Sequence, residues 1–169
     1  RPDLEHVDEP RLPDGYVLRS PREEELPSVF QMQVEAFAEH WGQAQADEQH
    51  ISEWVDDPRF RRDLVVVAWA GDEPAACVWN IVEERAGGSR RGLLEAVSTH
   101  PRHRRLGLAR AAILRSLRLL RDEGATSAYL GVDTDNHNRA FALYESAGFR
   151  RVSGGATYRK PFGGQEHAP

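Results

Sequence analysis

The sequence contains a single cysteine, Cys77, a single lysine, Lys160, and no long apolar run. One cysteine excludes an internal disulfide and a cysteine cluster for zinc, and it suits a reducing, cytoplasmic setting. The longest apolar stretch, Leu64 to Ala70, falls far short of the roughly 20 residues a bilayer span requires, and no secretory leader pattern opens the chain. No membrane partner is expected. Lys160 stands alone among 22 Lys+Arg, a bias toward arginine that points to GC-rich coding and a bacterial gene. An excess of positive charge is missing too. The formal net charge is -5, which argues against a nucleic-acid partner even though Arg102 to Arg105 are locally basic. Neither G-x-x-x-x-G-K-[ST] nor G-x-G-x-x-G occurs, which disfavours mononucleotide hydrolysis. No metal is expected: His100 and His103 share a loop without obvious further ligands, and Asp133 to Asn138 departs from a calcium loop at Asn138 and Tyr144. Cys77, inside ACVWNIV, reads as a core residue rather than a nucleophile.

What is present fits one domain of 169 residues. Residues 1–15, RPDLEHVDEPRLPDG, read as a linker or N-terminal extension, residues 16–160 as the domain, and residues 161–169 as a flexible tail. Tyr16 to Ser20 reads as a strand. Ser20-Pro21-Arg22-Glu23 has the form of a capping box for a helix through about Glu39, with Leu26, Val29, Phe30, Val34 and Phe37 forming its apolar stripe. Asp47 can cap a second helix through Trp54. Asp63 to Ala70 and Pro74 to Val82 read as a hairpin turning at Gly71-Asp72, followed by a strand from Leu93 to Thr99. An amphipathic helix ending at Gly124, a strand from Thr126 to Val132 and a helix from Arg139 to Ala147 then describe a parallel crossover unit. Phe149 to Ser153 and Ala156 to Lys160 read as closing strands. The expected class is α/β (α+β), a mixed sheet of six to seven strands with about four helices.

The start of the crossover helix carries the first functional signal. Unpaired backbone amides and the positive end of a helix dipole bind anions, and Arg104-Arg105-Leu106-Gly107-Leu108-Ala109 adds side-chain charge and a glycine that admits close approach. A solvated basic helix start is the plainer alternative.

Arg104-x-x-Gly107-x-Ala109 resembles the R/Q-x-x-G-x-G/A loop of the GCN5-related N-acetyltransferases (GNAT), which holds the pyrophosphate of acetyl-CoA. Asn136, Asn138 and Arg139-Ala140-Phe141-Ala142-Leu143-Tyr144-Glu145-Ser146-Ala147-Gly148-Phe149 resemble that family's second signature, N…A-x-x-L-Y-E-x-x-G-F. The resemblance implies a GNAT fold and acetyl transfer to an amine, with acetyl-CoA as co-substrate. Backbone groups of Val97 and Thr99 would hold the pantetheine arm, the amides of Arg104, Arg105, Leu106, Gly107, Leu108 and Ala109 the pyrophosphate, and Asn136 or Asn138 would lie near the arm. Tyr144 would stand by the thioester sulfur as the acid, or serve as a core aromatic. Trp41, in His40-Trp41-Gly42, would stack on the acceptor or pack internally.

Direct transfer also needs a base. Glu95, the only carboxylate in LLEAVST, is the candidate, with a carboxylate at a bulge or paired to arginine as its other reading. The functional expectation is acetyl transfer from acetyl-CoA to a small-molecule amine in a ternary complex; the alternative is a catalytically silent acyl-CoA-binding or structural domain. AFAEHWG and the ending TYRKPF are similar to the second domain of tandem acetyltransferases such as the mycothiol synthase group. A second GNAT domain preceding this one in a longer polypeptide is therefore expected.

Overall fold

Short runs of apolar residues separated by glycine turns build a single mixed sheet. The computed structural model describes residues 3–37, 54–132 and 140–152. Strands β1 (Tyr16–Arg19), β2 (Val66–Ala70), β3 (Glu73–Glu84), β4 (Arg90–Thr99) and β5 (Ala125–Tyr129) lie side by side in chain order. The first four are antiparallel neighbours and β4 pairs with β5 in parallel. Helix α2 (Leu108–Asp122) makes the parallel crossover, α1 (Leu26–Phe37) lies between β1 and β2 in sequence, and α3 (Ala140–Ser146) follows β5. Among these residues no helix is long and apolar enough to cross a membrane.

The mixed α/β class stands, with five strands and three α-helices among the described residues instead of six to seven strands and about four helices. Phe149 to Val152 is not a strand; Phe149 turns inward and meets Tyr144 edge-on at 6.2 Å. Ala156 to Lys160 lies outside the described residues, as does the helix expected from Asp47, apart from Trp54.

The start of α1 also differs from expectation. Ser20 does not cap it, because its hydroxyl donates to the Asp63 carbonyl at 3.0 Å. A 3-10 turn, Glu23–Glu25, precedes the helix, and the Glu25 carboxylate accepts from the Arg22 amide at 2.7 Å and from Arg19 at 2.7 Å. A carboxylate with two cationic partners outcompetes a hydroxyl for that place. The buried stripe is rotated accordingly: Met32, Gln33 and Ala36 are buried, whereas Val34 and Phe37 are only half-buried. Pro27 sits in the first turn, where its missing amide costs no helical hydrogen bond.

Strand residues alternate between two cores. Val66, Val78 and Leu94 pack with Ile113, Leu114 and Leu117 of α2. Val67, Trp69, Cys77 and Trp79 pack on the other face with Val29 and Phe30 of α1. The segment before β1 joins the α2 side, where Leu4 and Val7 are buried and Arg118 donates to the Val7 carbonyl at 3.3 Å.

Candidate active site

The site begins with a break in the ladder. β4 pairs with β5 only from Arg90 to Leu93, so beyond Leu93 its β5-facing edge has no strand partner among the described residues. On its other side β4 stays bonded to β3 as far as Thr99, which faces Ala76. An extended strand with one open edge can pair with a ligand's amide groups. Val97 and Thr99 lie on this stretch, both half-buried.

A bulge sorts the side chains of the same stretch. A two-residue step on β3, Cys77 to Trp79, faces a three-residue step on β4, Glu95 to Ser98. Ala96 absorbs the extra residue with φ 46, a left-handed conformation that is uncommon outside glycine. Consequently Glu95 and Ala96 both turn toward the α1 face, while Leu94 and Val97 pack on the α2 face.

After β4 a 3-10 turn, Pro101–His103, leads to Gly107, which starts α2 in the left-handed region at φ 79; Arg105 is left-handed as well, at φ 69. The first helical amide bonded to a backbone carbonyl is that of Ala111, which donates to Gly107 at 3.0 Å. The amides of Arg105 through Arg110 have no backbone acceptor among the described residues. A Cβ built at Gly107 meets nothing within 4 Å, so the space above these amides is open. The exposed Arg105 guanidinium has no ion-pair or hydrogen-bond partner among the described residues, whereas Arg104 donates to the Ala36 carbonyl at 3.1 Å. Leu108 is buried and anchors the helix start, Ala109 is half-buried, and Leu106 is exposed. An open row of amides at a helix N-terminus fits a pyrophosphate.

Glu95 opens onto a cleft walled by Trp54, Phe60 and Trp79 and lined as well by Asp57 and Arg61. Its carboxylate has no hydrogen bond or ion pair among the described residues, while Asp57 is held by Arg59 at 2.7 Å and Arg61 is bonded to Asp63 and Glu123. Of its two other readings, the bulge is real and the arginine pairing is absent among the described residues. Tyr144 lies on α3 and packs against the α2-side core. Burial raises its pKa above the ordinary 10, so the phenol keeps its proton at neutral and mildly alkaline pH. Its hydroxyl, too, lacks a partner among the described residues. Glu95 and Tyr144 thus belong to opposite faces of the sheet.

Trp41, Asn136 and Asn138 lie outside the described residues. Cys77 is fully buried, and burial pushes its thiol pKa far up, the opposite of what a nucleophile needs. The aromatic wall of Trp54, Phe60 and Trp79 was not singled out in the sequence. Four tryptophans in 169 residues were the available signal, but pairing Trp79 with Glu95 depends on a bulged register that alternation alone does not specify.

A family model described as the acetyltransferase (GNAT) family matches residues 26–149. The chain is 32% identical over 166 residues to mycothiol acetyltransferase of Salinispora tropica, covering 94% of this chain and 52% of that protein. It is 31% identical over 156 residues to mycothiol acetyltransferase of Thermobispora bispora, covering 89% and 52%. The chain therefore spans about half the length of the curated relatives it matches. Among solved structures it is similar to an aminoglycoside acetyltransferase from an uncultured soil metagenomic sample, with a TM-score of 0.71, 15% identity and coverage of 90% and 100%. A transcriptional regulator from Bacillus halodurans is also similar, at TM-score 0.70, 18% identity and coverage of 86% and 99%. Likeness at such identities is one of fold, whereas the family match runs through the open strand, the amide loop and α3 together. The chain belongs to the GNAT acetyltransferase family, whose common chemistry is acyl transfer.

Proposed function

We propose that this domain transfers an acetyl group from acetyl-CoA directly to an amine of a small-molecule acceptor. The observation that carries the proposal is that β4 gives up its pairing with β5 at Leu93 and runs on to the loop whose Arg105 to Arg110 amides lack backbone acceptors among the described residues, while Glu95 of the same strand lines a cleft. Bound acetyl-CoA would supply an activated thioester and a thiolate leaving group. Backbone groups of Val97 and Thr99 hold the pantetheine arm, and the amides from Arg104 to Ala109 hold the pyrophosphate. Asn136 or Asn138 would serve the arm, and Trp41 would stack on the acceptor. Glu95 takes a proton from the acceptor ammonium, directly or through water, so that the nitrogen lone pair can form the new C–N bond. Tyr144 holds a proton for the sulfur as the C–S bond breaks.

The proposed enzyme unit runs over residues 16–160, between an N-terminal segment, 1–15, and a tail, 161–169. In the whole protein it would stand beside a second GNAT domain and work in the cytoplasm. The name of the relatives makes mycothiol-related amines the first acceptors to try. Their double length also favours a second reading, a domain that binds acyl-CoA without turning it over. Measuring CoA thiol release against a panel of amines, alongside acetyl-CoA-dependent melting temperature, separates the two. Stabilisation by acetyl-CoA with no amine-dependent thiol release would replace the enzyme with the silent domain.

A further inference from the structure

Side chains join the last turn of α1 to the turn that feeds the phosphate loop. Glu35 Oε2 lies 2.8 Å from His100 Nε2, and the Arg104 guanidinium donates to the Ala36 carbonyl at 3.1 Å. One turn earlier the Gln33 amide donates to the carbonyl of Ala96, the bulge residue, at 3.5 Å. The proton on His100 is assigned by its neighbours. The Arg102 amide donates to Nδ1 at 3.2 Å, so the neutral ring carries its hydrogen on Nε2 and donates it to Glu35. Gln31 braces the other Glu35 oxygen at 2.9 Å, and these two hydrogen bonds, Gln31's first, hold the carboxyl below its usual pKa. The Arg104 guanidinium thus ties the backbone of α1 at Ala36 to the turn after β4.

Glu73, His100 and His103 could offer metal-ligand atoms within 4.8 Å of one another. Both nitrogens of His100 are already committed, however, and the Arg102 guanidinium lies 2.7 Å from Glu73, where a dication would meet a cation. The cluster is a hydrogen-bonded brace.

We infer that Glu35, His100 and Arg104 are positioning residues that transmit occupancy of the phosphate loop to α1, so that the donor fixes the acceptor side of the cleft. Helix α1 reaches that cleft through Phe30, edge-on to Trp79 at 5.2 Å, and Trp79 lines the cleft with Glu95. Arg104 acts here through its guanidinium, since its amide donates to the Pro101 carbonyl at 3.4 Å. The inference rests on the proposed binding of the donor phosphates at the loop.

Hydrogen–deuterium exchange of the full chain, with and without CoA, tests it. In the wild type CoA should slow exchange both at residues 105–110 and in the last turn of α1, the latter by about tenfold. Glu35→Ala should keep loop protection and CoA affinity within about threefold of wild type while losing protection in α1. Glu35→Gln, which still accepts from the His100 Nε2–H, should behave as wild type, a rescue that bulk destabilisation would not give. Loop protection without any effect on α1 overturns the coupling and leaves the donor site standing, as does a tenfold or greater loss of CoA affinity in Glu35→Ala. Absence of protection anywhere overturns the coupling and the donor site together.

Discussion

On the α2 face of the sheet the core is aliphatic, with Val66, Val78, Leu94, Ile113, Leu114 and Leu117 packed together, whereas the α1 face gathers Phe30, Trp69 and Trp79 and lets a carboxylate, Glu95, into its cleft. The two faces divide the work. Behind the α2 face stands a helix whose contribution is its backbone: amides at one end, oriented by packing and by Gly107. On the α1 face the candidate groups are side chains. A backbone site recognises what all donors of one kind share, while a side-chain site can be rebuilt for a new acceptor without disturbing the fold.

The largest effect expected is on the backbone side. Gly107→Glu places a carboxylate and a strained left-handed residue where the amides converge, and it should abolish the rise in melting temperature that acetyl-CoA gives the wild type. Retained stabilisation would show that the amides are not the anion site. Tyr144→Phe should keep cofactor binding, because the ring still packs against Phe149, yet lose roughly 10²–10³-fold in turnover. Since burial raises the phenol's pKa above 10, that deficit should be flat from pH 7 to 9 in an assay limited by chemistry. Near-normal turnover would hand the acid role to solvent.

Glu95→Gln probes the other face. Amines are mostly protonated at neutral pH, so turnover should fall about tenfold at pH 7 and recover toward pH 9 as free amine accumulates. A pH-independent loss would make Glu95 an acceptor-binding group instead of a base. Gly92→Ala tests the packing that aims the loop. Its Cβ would overlap Leu120 Cδ1 in a fully buried setting, and chemical denaturation should register a loss of about 1–3 kcal/mol. Unchanged stability would mean that the α2 face yields more easily than its burial implies.

The smallest effect concerns the start of α1. The Arg19 hydrogen bond, with help from Arg22, holds the Glu25 carboxyl at about 2 against an ordinary 4.5. A depressed folded pKa stabilises the protein above the ordinary value and ceases to do so as pH falls from 4.5 toward 2. Glu25→Gln should therefore melt slightly below wild type at pH 7, with the two curves converging across that acid range. A constant gap would place the cost in packing.

Most of the amide loop and its helix was legible in the sequence because their determinants are local. Gly107 and Gly124 mark the ends of α2, each with positive φ, and the apolar period between them predicts which face is buried. Glu95 was legible as an isolated carboxylate in an apolar strand. Its aromatic surroundings were not, since they assemble from Trp54, Phe60 and Trp79, which are distant from it in sequence.

The sequence by itself determined the α/β class, the order of the central elements and the loop whose amides lie open, all consequences of side-chain period, helix punctuation and glycine conformation. Only the tertiary structure decided that β4 leaves β5 at Leu93, that the bulge at Ala96 turns Glu95 into the cleft, and that Glu25 rather than Ser20 organises the start of α1. Strand pairing, register and competition among hydrogen-bond acceptors are settled between residues far apart in the chain, where local period carries no information.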